Sequence, residues 1–184
     1  MNDSAFPRVT GVMRALNLID DRWFSEEGRA RGTAVHLALR FYAENDLAWD
    51  SVDPVIRPFV EAGVRFLEDA KAPRNADVEI EVVHEGYGYV GHPDWLGELF
   101  GQDSVLDYKS GGLDKNLAGI QTAAYELALV KNPHRRRLAL QLFPNGRYKL
   151  VDLTPQIHDR ARWLACLDLF RTFIAPRNGH RGAA

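Results

Sequence analysis

Hydrophobic positions recur at helical spacing in the first third of the chain. They alternate in the middle, and return to helical spacing on either side of a second, shorter β segment. The stretch "VTGVMRALNLID" reads as a short helix with Thr10 as its N-cap candidate. "GTAVHLALRFYAEN" starts a second helix after Gly32, with Val35, Ala38, Leu39 and Tyr42 forming one apolar stripe. Asp50 to Pro58 interrupts the pattern, "PVIRPFVEAGVRFLEDA" gives a third helix, and "KAPRNAD" a loop around Pro73. At Asp77 the period becomes two: Val78, Ile80 and Val82 face one way, Glu79 and Glu81 the other. "YGYVGHPDWLGEL" and "SVLDYKSG" follow as two further strands, joined by "FGQD" as a hairpin connection. "KNLAGIQTAAYELALVKN" is then a helix ended by Asn132-Pro133. "RRLALQLF" and "RYKLVDL" flank "PNG", the strongest hairpin signal in the sequence. Thr154-Pro155 predicts the start of a last helix, with threonine as N-cap and proline at the first helical position. From Pro176, "PRNGHRGAA" reads as a loose tail.

Helices, three strands, a helix, two strands and a helix make an α/β fold around a mixed sheet. With 184 residues, 46% of them hydrophobic, the chain suits one domain over residues 1–175. Within it a helical part runs over about 9–72, a core over about 77–153 and a last helix over about 155–175, before a tail at 176–184. Neither a repeat nor a low-complexity block interrupts it.

The single cysteine, Cys166, permits no internal disulfide and excludes a cysteine-built zinc or iron–sulfur site made by this chain alone. A reducing, cytoplasmic setting is the expectation, since no apolar run reaches membrane-span length and the first residues lack a signal-peptide layout. The formal charge of −2, from 23 Lys+Arg and 25 Asp+Glu, is unlike that of a protein that merely coats nucleic acid. It leaves room for a nucleic-acid substrate, because bound divalent cations supply positive charge locally.

"VLDYKSGG" carries the candidate chemistry. Asp107 and Lys109 are two apart on a predicted strand, so they share a face. Either they form a surface ion pair, or they are a metal ligand beside a catalytic cation. The Asp-x-Lys pattern alone is cheap: Asp69-Ala70-Lys71 repeats it at a helix end, and Gly111 to Asp114 repeats the Gly-x-x-Asp of Gly91 to Asp94. Their combination is more informative. Pro93-Asp94 lies on the second predicted strand, and a hairpin sets that strand beside the third, bringing Asp94 near Asp107. Two adjacent carboxylates repel unless a cation neutralises them, and an all-oxygen site suits Mg²⁺ or Mn²⁺. Lys109 would then orient a water or offset developing negative charge. His36, beside Val35 near the start of the second helix, is either a packing histidine or a third ligand, better matched to Mn²⁺. Glu81 is a further ligand or water holder, or only the solvated side of an edge strand. Gln121 and Tyr125, four apart, share a helix face able to reach a phosphate or base, or make an ordinary half-buried surface.

In this order, "RGTAVH", "GHPD", "LDYK" and "QTAAY" resemble the PD-(D/E)XK nuclease superfamily, and within it the RecB-like branch with its phage-type exonucleases. The resemblance spans about residues 31–125, with "VTGVMRAL" also similar to the opening of phage members. It implies a restriction-endonuclease-like αβββαβ core with extra N-terminal helices, and a Mg²⁺- or Mn²⁺-dependent deoxyribonuclease, an exonuclease in preference to an endonuclease. By the same resemblance His36, Asp94, Asp107 and the Tyr108 carbonyl would hold one or two metal ions, and Glu81 would join the acidic set. Lys109 would be the catalytic lysine, and Gln121 and Tyr125 the substrate-side pair. The four-cysteine iron–sulfur site of some relatives is impossible with Cys166 alone.

Grip on DNA would come from Arg29 and Arg31 ahead of the histidine helix. "HRRR" (His134 to Arg137) with Arg147 and Lys149 is either a phosphate-tracking patch or a solvated strand entrance. The modest charge leads to an expectation of oligomerisation or a recombination partner, acting on DNA ends in recombination, repair or phage DNA processing. A non-catalytic nucleic-acid-binding module, a nuclease subunit awaiting its partner, and an adaptor with a plain Asp107–Lys109 salt bridge are the competing readings.

Overall fold

A computed structural model describes residues 6–19, 25–73, 78, 80–129 and 135–175. Helices α1 (Val9–Ala15), α2 (Glu26–Ala43) and α3 (Arg57–Asp69) come first. Strands β1 (Val82–His84), β2 (Tyr89–Gly91), β3 (Trp95–Leu99) and β4 (Gln102–Lys109) follow, then α4 (Lys115–Ala128). Strands β5 (Arg136–Leu142) and β6 (Tyr148–Asp152) precede α5 (Asp159–Leu169), which runs on as a π-helical turn over Phe170–Ile174.

The β segments form two sheets where the sequence pattern suggests one. A β1–β2 ribbon stands apart from a four-stranded sheet of order β3-β4-β5-β6. In that sheet β4 and β5 are parallel and the other neighbours antiparallel, so α4 is the crossover between the two parallel strands. The mixed α/β architecture with flanking helices is as expected. The predicted second strand divides in two because Pro93, in the break after Gly91, has no N–H for a ladder. Asp94 therefore lies in the bend before β3 and not on a strand.

Alternation along β4 sorts its side chains between two cores. Leu106 and Tyr108 pack with Leu138, Leu140 and Leu142 of β5 against α2 and α3. Val105 faces the other way, toward α1, α4, α5 and the β1–β2 ribbon. Asp107 and Lys109 share the Val105 side by the same period. The buried stripe of α2, Val35, Ala38, Leu39, Tyr42 and Ala43, includes every position read from the sequence.

Turn chemistry fixes the hairpins. Leu99 pairs with Gln102, leaving Phe100 and Gly101 at φ +53° and +73°, the two left-handed residues of a type I′ turn. Phe100 N–H donates to the Ala70 carbonyl at 2.9 Å, tying this turn to the end of α3. The "PNG" segment closes the β5–β6 hairpin with Gly146 at φ +73°.

Helix starts depart from expectation in three places. The first helix begins at Val9, after Arg8, so Thr10 is inside it and is not the cap. Helix α2 begins at Glu26, where Ser25 Oγ accepts from Gly28 N–H at 3.0 Å, and Glu26 and Glu27 sit at the positive helix end. Arg29 and Arg31 are consequently inside the histidine helix rather than ahead of it. The last helix begins at Asp159, because Thr154 Oγ1 is occupied by the Arg137 backbone N–H at 3.0 Å. Asp77, Glu79, Asn132-Pro133, His134 and the tail from Pro176 lie outside the described residues. No helix among the described residues is long and apolar enough to cross a membrane.

Candidate active site

The site forms where the C-terminal half of β4 meets the bend at Asp94, α2 and α4. Trp95 pairs with Leu106 across the hairpin, which carries Asp94 alongside the Asp107–Tyr108 segment. Asp94 Oδ2 accepts the Tyr108 backbone N–H at 2.6 Å, and Asp94 Oδ1 lies 2.9 Å from His36 Nδ1. Asp107 is 3% exposed; its Oδ2 lies 2.6 Å from Lys109 Nζ and its Oδ1 accepts from Gln121 Nε2 at 2.8 Å. Gln121 links the set, with Oε1 accepting from Lys109 Nζ at 3.2 Å and Nε2 donating to Tyr125 Oη at 2.8 Å. Helix α4 places these two side chains because Asp114 caps it, accepting from the N–H groups of Asn116 and Leu117.

A cavity of about 250 Å³ opens between these groups, lined by His36, Asp94, Asp107, Lys109, Gln121 and Tyr125. Arg8, Val9 and Thr10 of the first helix and Gly91 and His92 of the bend complete its wall. The sequence motifs exclude Arg8, while Val9 and Thr10 stand in the "VTGVMRAL" that resembles the opening of phage members. Gly91 and His92 stand inside the quoted "GHPD", so their neighbourhood to Asp94 was the available signal.

Other site candidates lie farther out. Glu81 is outside the cavity wall, 3.5 Å from His92, with both side chains more than a third exposed. The Arg31 guanidinium lies over the Phe59 ring at 5.4 Å, and Arg29 is on the exposed side of α2; neither lines the cavity. The arginine run is spent on internal partners: Arg135 on Asp103, Arg136 on Asp152, and Arg137 on Asp159 and Glu126. Arg147 and Lys149 are exposed on the β6 side, two strands from Asp107. Among the described residues, these positions do not form the continuous basic patch considered from the sequence.

Burial and close charges set the protonation states. Burial alone would lower the His36 imidazole, but the Asp94 carboxylate, by charge and hydrogen bond, raises it to about 9. Burial pushes Asp107 above the usual carboxylate range, against the pull of Lys109. Burial works against the Lys109 ammonium, yet Asp107 raises it and holds the proton on the lysine. Burial also pushes the Tyr125 hydroxyl up, so it remains a neutral hydrogen-bonding group. The folded-state rise at His36 gives a definite sign. Its stabilisation is complete below pH 6.5 and is lost as pH rises through about 9. In EDTA, the melting temperature is expected to fall over that window in the wild type and to flatten in His36→Gln; an unchanged slope would remove the pair from the stability balance.

One edge of the Tyr125 ring packs against Gly91. A Cβ at Gly91 would lie 2.5 Å from Tyr125 Cδ1 and 2.7 Å from Cε1, and that ring is only 2% exposed. Gly91→Ala is therefore expected to cost about 1–3 kcal/mol by overpacking and to lift Tyr125 from Gln121. Chemical denaturation checks the first effect, and a wild-type midpoint would contradict the close approach.

The donor set at the cavity suits a divalent ion. Asp107 Oδ2 is buried and has no partner in hydrogen-bond geometry, although Lys109 Nζ is near. Two buried carboxylates thus face one cavity, an all-oxygen pair that fits a hard cation. No group of three or more His, Cys, Asp or Glu among the described residues could hold an ion without help. The protein's share would be Asp94, Asp107 and a backbone oxygen, the rest coming from water and substrate, as Mg²⁺ commonly uses. His36 points Nδ1 at Asp94 and so orients that carboxylate, which leaves Nε2 as the ring nitrogen for a ligand role.

No protein-family model matches this chain, and no curated protein matches it by sequence. Among solved structures, a Eubacterium rectale protein described as a "putative exonuclease" is similar over 95% of this chain and 80% of its own, with a TM-score of 0.54 and 12% identity. That likeness is one of fold: an α/β architecture with a mixed four-stranded sheet flanked by helices.

Proposed function

We propose that this chain is a metal-dependent DNA nuclease that hydrolyses phosphodiester bonds at DNA ends, in recombination, repair or phage DNA processing. One observation carries the reading. Asp94, Asp107, Lys109 and Gln121, which come from a bend, a strand and a helix, converge on one cavity beside His36 and Tyr125. The description of the structural neighbour supports the same class of activity.

Asp94, Asp107 and the Tyr108 carbonyl would hold Mg²⁺ or Mn²⁺, which when bound lowers the pKa of water and polarises a phosphoryl oxygen. Lys109, kept as an ammonium beside Asp107, offsets negative charge as the water oxygen bonds to phosphorus and the bond to the sugar oxygen breaks. The attacking water gives up a proton to solvent, and the departing oxygen takes one from it. Gln121 holds Lys109 and Asp107 in one arrangement, so neither group reorients during the step. His36 keeps Asp94 turned inward. Arg29 and Arg31, on the helix that carries His36, would meet the DNA backbone outside the cavity. Because Arg135, Arg136 and Arg137 serve internal partners, extra grip on DNA would come from oligomerisation or a partner protein.

Linear and closed-circular DNA, each single- and double-stranded, test the reading with Mg²⁺ or Mn²⁺ present. Release of end label from linear DNA with circles intact is the expected result. Cleaved circles would make the enzyme an endonuclease, and intact DNA under every metal would overturn a free-standing nuclease.

A further inference from the structure

Arg137 belongs to none of the groups around the cavity, yet it is a charged side chain only 3% exposed. On β5 it is the register partner of Val105, two residues before Asp107, and Ala139 is the partner of Asp107. By strand alternation Arg137, Ala139, Val105 and Asp107 all face α4. Its guanidinium spends its donors on three elements. Nη1 donates to the Gly119 carbonyl of α4 at 3.0 Å and to Asp159 Oδ2 of α5 at 3.2 Å. Nη2 donates to the carbonyls of Leu153 at 2.8 Å and Gln156 at 2.9 Å, in the turn that leads to α5. Nε lies 3.5 Å from Glu126 Oε2 of α4.

These attachment points bracket the site helix. Gly119 is two residues before Gln121, and Glu126 is the residue after Tyr125. Glu126 and Asp159 are 5% and 0% exposed, and each is held by a second arginine, Arg160 and Arg162 respectively. Gly119 permits the close approach, since a Cβ there would overlap Asp159 Oδ2. A buried ion network is a weak source of net stability compared with apolar side chains of similar volume. A planar fork with five N–H donors, by contrast, fixes direction, which an apolar contact does not.

We propose that Arg137 is a positioning residue for the cavity: its buried guanidinium fixes the height and rotation of α4 on the sheet, and so seats the Gln121 amide between Asp107 and Lys109. The catalytic part of this role rests on the nuclease reading; the structural part does not. Arg137→Lys keeps the charge and loses the fork, and Asp159→Asn keeps the shape and loses the charge. A misplacement of about 1 Å costs roughly 100-fold in rate, so kcat is expected to drop by about that factor in folded Arg137→Lys, with KM unchanged.

The test pairs that kinetic split with the side-chain amide signals of Gln121 in ¹⁵N spectra, assigned by their loss in Gln121→Glu. In both variants the Gln121 signals are expected to move toward those of a free amide and to exchange faster with solvent. Folded variants with wild-type Gln121 signals, or with activity lost only in proportion to unfolding, would overturn the assignment. So would failure of both variants to fold, which would make the network a folding element alone. Should the wild type cleave no DNA, the nuclease reading falls, and the amide signals still decide what Arg137 does.

Discussion

Lys109→Met is expected to lower DNA hydrolysis by about 10²–10³-fold, the usual cost of removing one preorganised group that meets developing charge. Lys109 Nζ is held between Asp107 Oδ2 at 2.6 Å and Gln121 Oε1 at 3.2 Å, so its position is set before substrate arrives. Methionine keeps the length and apolar stem while deleting the ammonium. The fall should appear in kcat with little change in KM, since the charge is needed most in the transition state. Lys109→Arg should not restore the rate, because a planar fork does not fit a seat built for a compact ammonium. Single-turnover kinetics on end-labelled DNA measure this directly. A Lys109→Met protein cleaving at the wild-type rate would remove the lysine from the mechanism.

Manganese should stabilise the fold, and Asp107→Asn should abolish that stabilisation. An ion that binds the folded state alone adds about 2.7 kcal/mol at about 100 times its Kd. For a chain of 184 residues this corresponds to roughly 5–10 °C in Tm. Asp107 is buried with its Oδ2 against the Lys109 ammonium, so the amide of asparagine removes the charge that would hold the ion. Asp94→Asn should act similarly, while Asp69→Asn, at the end of α3 with its Oδ2 on the Tyr148 hydroxyl, should leave the response intact. A Tm indifferent to Mn²⁺ in the wild type would reduce Asp107 and Lys109 to a plain ion pair.

What the sequence made legible follows from the range of the forces involved. The "FGQD" and "PNG" turns were readable because backbone conformation at two or three residues decides them, and both hairpins are present. The α2 stripe was readable because burial repeats with the helical period. Asp94 beside Asp107 was anticipated through the hairpin, although Pro93 places Asp94 in a bend where strand pairing had been expected. Thr154-Pro155 misled because a threonine hydroxyl serves whichever N–H lies nearest, and here that belongs to Arg137 across the sheet. The arginine run left two readings open for a related reason. Period-two alternation turns Arg137 inward, and its partners Glu126 and Asp159 lie 11 and 22 residues away along the chain, beyond any local pattern. The separation of β1–β2 from the main sheet depends on such distant packing too.

Cleavage of end-labelled linear DNA by the wild type in Mn²⁺, with EDTA and with Asp107→Asn as parallel reactions, tests the central claim most directly. Hydrolysis by the wild type alone, stopped by the chelator and by the substitution, is the expected result. Equal cleavage by Asp107→Asn, or none by folded wild type, would contradict a phosphodiester-cleaving centre at this cavity.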